Sequence, residues 1–89
     1  MNPYIAMTNN DSNIAVLLVA TQAPLEVLHS NAATRFLAGT QMMESLASLD
    51  ITQAKGADVQ QLAYAAAILL RDACDVMDVL GRQIRAAKV

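Results

Sequence analysis

The chain has 89 residues, of which 55% are hydrophobic and 3% aromatic, and its formal net charge is −2. This length suits one domain, since chains this short rarely hold two independent cores. The basic residues are spread along the chain without forming a concentrated basic surface, so we expect no binding to nucleic acid. The single cysteine, Cys74, excludes an intramolecular disulfide. We expect it to be a small buried side chain in a reducing compartment.

The first 13 residues contain Pro3 and a cluster of Asn, Asp, Ser and Thr with little periodicity. This composition predicts a flexible N-terminal arm over residues 1–13, with residues 14–89 as a single domain. The run from Ile14 to Ala20 is apolar and partly β-branched, which favours an extended segment. Because nothing else in the chain has the pattern of a strand, we expect this run to pair with the same segment of a second subunit.

The same apolar run is not preceded by Lys or Arg, as the core of a secretory signal would be. It is also far shorter than the roughly 20 residues that cross a bilayer as a helix. Residues 63–70 form the other long apolar run, and they are equally too short. We therefore expect a cytoplasmic protein without a membrane segment.

Two helices follow the apolar run. Apolar residues at helical spacing after Pro24 predict a first helix over about residues 24–49. Residues 50–57 form a short connection, which makes the two helices antiparallel neighbours. Asp58 and Gln61 have capping-box spacing and predict the start of a second helix over about residues 58–87. Gly39 and Gly81 fall inside these helices, where a glycine indicates a close contact or a kink.

The second helix is apolar over more than half of its circumference. An isolated helical hairpin cannot bury such a surface, whereas two hairpins can bury it as a four-helix bundle. The sequence therefore predicts an all-α antiparallel two-helix hairpin with a short N-terminal extended segment, assembled as a dimeric four-helix bundle. The expected interface residues are Leu62, Ala66, Ile68, Leu69, Ala73, Val76, Val79 and Leu80.

No group of residues has the pattern of a catalytic, cofactor or metal site. His29, Ser30 and Cys74 all fall within predicted helices, where no sharp turn presents a nucleophile. Asp72, Asp75 and Asp78 are spaced by three, and Arg71 and Arg82 lie four residues from Asp75 and Asp78 respectively. This spacing indicates an ion-paired, solvated surface. We expect a protein that is not an enzyme and that holds no cofactor or metal.

Three segments of the chain follow the pattern of a known family over about residues 14–80. They are the apolar run, Pro24-Leu-Glu-Val-Leu28, and the alanine-rich stretch Gln61-Leu-Ala-Tyr-Ala-Ala-Ala-Ile-Leu-Leu-Arg-Asp-Ala73. In these segments the chain resembles a family of small bacterial proteins of unknown function that is common in pseudomonads. The resemblance implies a strand-like segment followed by two alanine-rich helices. Because the family has no assigned activity, the resemblance implies no functional residue.

We therefore expect a non-enzymatic protein that associates with itself, as a dimer, and binds another protein. Two alternatives stay open on the sequence alone. One is a helical bundle that binds a small molecule or a metal between its small side chains. The other is an inhibitor from a phage or mobile element that docks on a host protein.

Overall fold

The computed structural model describes residues 3–50, 52 and 55–87 as two short strands followed by two long helices. The elements are β1 (Tyr4–Ala6), β2 (Leu18–Ala20), α1 (Leu25–Ala47) and α2 (Gly56–Ala87). The two helices pack along each other as an antiparallel hairpin. This confirms the predicted helical hairpin with a short extended segment at its N-terminal side. No helix within the described ranges is long and apolar enough to cross a bilayer.

α1 begins directly after Pro24. The amides of Val27 and Leu28 both donate to the Pro24 carbonyl at 3.0 Å, and Glu26 lies in the first turn, where negative charge is favoured. The helix ends at Ala47, within two residues of the predicted end.

α2 begins two residues before its predicted start. The amides of Asp58 and Val59 both donate to the Lys55 carbonyl at 3.1 Å, which places Asp58 inside the first turn and not at the cap. The predicted capping box is therefore wrong. Asp58 lies at the positive end of the helix dipole instead, where an acidic residue is also favourable.

The two strands pair with each other inside one chain. They are antiparallel, with Ile5 opposite Val19, and the ladder is extended by a bond of 3.0 Å from the Met7 amide to the Leu17 carbonyl. The prediction that residues 14–20 pair with a second subunit is wrong, since the partner strand is Tyr4–Ala6. Three residues between Pro3 and a polar cluster are too few to show the alternation of a strand in the sequence.

The core lies where α2 meets both α1 and the strand pair. Its buried members come from all three parts: Val19, Leu28, Ala32, Val76 and Val79. Ile5, Met7, Ala23, Phe36 and Leu80 pack against them. Part of the wide apolar surface of α2, which the sequence analysis assigned to a second subunit, is thus covered by the protein's own N-terminal segment.

The two helices approach each other closely at Gly39. A Cβ placed on Gly39 would lie 2.8 Å from the Cγ and Cδ2 atoms of Leu70, closer than van der Waals contact allows. The close contact predicted at this glycine is therefore confirmed. At Gly81 the nearest atom to such a Cβ is a guanidinium nitrogen of Arg85 at 3.4 Å, which is an ordinary contact, so the close contact predicted there is not present.

Candidate interaction surfaces

Two carboxylates of α2 anchor the N-terminal segment. The Thr8 amide donates to Asp75 Oδ2 at 2.8 Å, and the Thr8 hydroxyl donates to Asp75 Oδ1 at 2.9 Å. Asn9 Nδ2 donates to Asp72 Oδ1 at 3.0 Å. The predicted ion-paired surface is therefore correct only for Asp78, which pairs with Arg82 at 3.0 Å. Asp72 and Asp75 instead accept hydrogen bonds from neutral donors more than 60 residues away in sequence.

A third polar side chain of α2 holds the other end of the strand pair. Gln83 Nε2 donates to the carbonyl oxygens of Thr21 and Ala23, at 2.6 and 2.7 Å. These two carbonyls belong to the turn between β2 and α1. The strand pair is thus bound to α2 at both of its ends.

Residues 14–17, here called the apolar loop, are held in place by the side chain of Asn10. Its Oδ1 accepts hydrogen bonds from the amides of Val16 and Leu17 at 2.9 and 2.8 Å, while its Nδ2 donates to the carbonyls of Met7 and Leu17. The loop nevertheless exposes 77% of Ile14 and 79% of Val16. A loop fixed by local hydrogen bonds therefore presents apolar side chains to solvent.

A second exposed apolar surface lies on the helices, away from the strand pair, and we call it the helical back face. It comprises the exposed residues Leu25, His29, Thr40, Met43 and Ala47 of α1 and Ala63, Ala67, Cys74 and Met77 of α2, with the half-buried Leu70 and Gly81 on the same stripe of α2. Met43 is 48% exposed and Met77 is 38% exposed. Cys74 is also exposed, so the prediction that it is buried is wrong. The prediction was wrong because it depended on the alanine-rich stretch before Cys74 and on the usual burial of free cysteine, neither of which shows which side of α2 the residue occupies.

The structure places the eight predicted interface residues mainly inside the chain. Ala66, Ala73, Val76 and Val79 are buried against α1 and the strand pair, and Leu62, Ile68, Leu69 and Leu80 are half-buried. The predicted interface residues therefore belong to the apolar stripes of α2 that other parts of the same chain cover. It did not single out the back face, although the alternating spacing of four and three residues from Ala63 to Gly81 was a signal for it.

The described residues offer little for chemistry. They contain no group of three His, Cys, Asp or Glu side chains that could hold a metal ion. One hollow of about 250 Å³ lies between the strand pair and the end of α2, lined by Ile5, Thr21, Val79 and Gln83 among others. The hydroxyl and the amide of Thr52 donate to the Asp50 carboxylate and lower its pKa. That carboxylate is fully exposed in the connection between the helices.

The fold is that of a two-helix hairpin with a strand pair on one side and an apolar surface on the other. A scan against protein-family models, a search of curated proteins and a search of solved structures return no match. The resemblance to the pseudomonad family therefore stays a prediction.

Proposed function

We propose that the chain is a non-enzymatic cytoplasmic protein that associates with itself as a dimer and acts by binding protein. The observation that carries this proposal is the amount of surface that one chain leaves exposed. A compact monomer of 9.5 kDa exposes about 5,000 Å² by the scaling of surface with mass, whereas this chain exposes 6457 Å². The excess is about 1,400 Å².

The shape of the chain explains the excess. Its radius of gyration is 16.0 Å, against about 12 Å for a compact domain of this length. Its principal extents are 55 × 28 × 16 Å, and a helix with its side chains is about 10–12 Å across. The chain is therefore elongated, and its helices have a second layer on one side only, where the strand pair packs on α2. Stable domains bury apolar surface between at least two layers.

A second copy supplies the missing layer. A stable interface of standard size buries about 800 Å² on each partner, which is less than the excess exposed here. Two stacked helical hairpins form a four-helix bundle, an architecture in which each helix gains a second neighbour. The fixed and exposed apolar loop supports the further part of the proposal, that the protein binds another protein, since exposed apolar patches with polar rims mark interaction sites.

Light scattering coupled to size-exclusion chromatography over a dilution series tests self-association. Light scattering is needed because an elongated monomer elutes early and imitates a dimer on the column alone. We expect a mass of about 19 kDa, twice the 9.5 kDa of the chain, at high concentration and a fall towards 9.5 kDa on dilution. A mass of 9.5 kDa at every concentration, up to about 100 μM, would refute self-association.

A further inference from the structure

The structure also indicates which surface the second copy binds. We propose that two chains pack through their helical back faces, with α1 of one copy lying on α2 of the other and the strand pairs on the outside of the bundle. This inference rests on the proposed self-association and adds the interface and the pairing of helices to it.

The first observation is the spacing of the back-face residues along α2. Ala63, Ala67, Leu70, Cys74, Met77 and Gly81 are separated alternately by four and three residues, which is the spacing of a coiled-coil seam. The stripes that face α1 and the strand pair are already occupied within the chain. Ala63, Ala67, Cys74 and Met77 of this seam are exposed, whereas Leu70 packs against Gly39 of α1 within the chain.

The second observation is a difference in side-chain size between the two halves of the back face. α1 contributes the large exposed side chains Leu25 and Met43, whereas α2 contributes mostly small ones, such as Ala67 and Cys74. Large side chains pack best against small ones on the facing helix. This favours α1 on α2 of the other copy over the pairing of like helices.

The third observation is the charge along the rims of the back face. The α1 rim carries Glu26, and the end of α2 carries Arg82 and Arg85. The ion pair found among the described residues joins Arg82 to Asp78, and within that part of the chain Glu26 and Arg85 form none. Because the hairpin is antiparallel, the start of α1 lies level with the end of α2. Stacking α1 on α2 of the other copy therefore brings the acidic rim to the basic one, whereas a two-fold stack of α1 on α1 brings Glu26 to the last turn of the other α1, which carries no basic residue.

The thiol of Cys74 reports directly on this interface, because it is the only cysteine of the chain and is exposed in one copy. The experiment measures the rate of its alkylation by iodoacetamide across the concentrations used for light scattering. We expect the rate to fall by at least about tenfold where the dimer forms, because access to the thiol is lost. A dimer whose Cys74 reacts as fast as in the monomer would overturn the back-face interface and leave self-association intact. A chain that never dimerises would overturn both.

Two matched variants locate the interface independently. Met77→Glu and Val16→Glu each place one carboxylate at an exposed apolar position, the first on the back face and the second on the apolar loop. We expect Met77→Glu to raise the dimer Kd by at least about 100-fold, because an unpaired charge would be buried, and Val16→Glu to leave it unchanged. The reverse result would place the interface on the apolar loop and overturn the proposal. If circular dichroism shows Met77→Glu to be unfolded, the alkylation rate of the unaltered chain decides.

Discussion

Replacing Asp75 by Asn is expected to loosen the N-terminal segment from α2. The Asp75 carboxylate accepts two hydrogen bonds from Thr8, through the Thr8 amide and hydroxyl. Hydrogen bonds to a charged group contribute about 1.5–3 kcal/mol each. Because this carboxylate is only half-buried, water can replace the lost hydrogen bonds and reduce the cost of losing them. An Asn side chain can still accept from the Thr8 amide and can donate to the Thr8 hydroxyl oxygen, but both hydrogen bonds then lose the charge of the carboxylate. We expect the free energy of unfolding to fall by about 1 kcal/mol.

Asp78→Asn is the matched control, since it removes the same charge three residues further along the same helix. In the ion pair between Asp78 and Arg82, each side chain is about half exposed, and such surface pairs contribute about 0–1 kcal/mol. Urea unfolding measures the difference in the free energy of unfolding between the two variants. Both are measured at one protein concentration, so that any dimer contributes equally. Hydrogen exchange at the Thr8 amide should show lost protection in Asp75→Asn alone. Equal stabilities, together with an unchanged exchange rate at Thr8, would refute the anchoring role of Asp75.

Two further predictions follow from single contacts. Gly39→Ala gains about 1 kcal/mol of helix propensity but forces its Cβ into Leu70, so we expect a net loss of about 1 kcal/mol in urea unfolding. Gly56→Ala, which meets nothing within 4 Å, should cost nothing, and equal effects of the two substitutions would contradict the close contact. Thr52→Val removes the hydroxyl that lowers the pKa of Asp50, so NMR titration should show that pKa rise towards its ordinary value. The pKa of Asp50 is lowered in the folded chain, so the ionised carboxylate stabilises the fold at pH values above its unfolded pKa of about 3.9. This stabilisation is lost as the pH falls through the folded pKa. An unchanged pKa in Thr52→Val would exclude the hydroxyl as its cause.

The helices could be predicted from the sequence because their signals are local. Pro24 and the apolar periodicity after it located the start of α1 to within one residue, and α2 is helical up to residue 87, the last one that the structure describes. The start of α2 was missed by two residues because the Asp58 and Gln61 spacing also fits a first turn. Strand β1 was missed altogether, since three residues carry no readable period and become a strand only by pairing with β2.

By itself the sequence determined that two apolar helices must pack together and that the chain has more apolar surface than one hairpin can bury. Only the tertiary structure decided what covers each side of α2. That helix carries three apolar stripes at overlapping positions, and the sequence does not distinguish a stripe that meets α1 from one that meets solvent. The choice depends on donors far away in the chain, such as Thr8 and Asn9, whose hydrogen bonds to Asp75 and Asp72 bring the strand pair to one side of α2 and leave the back face open. Contacts between residues so distant in sequence produce no periodic pattern in either segment. They can therefore be identified only from the folded structure.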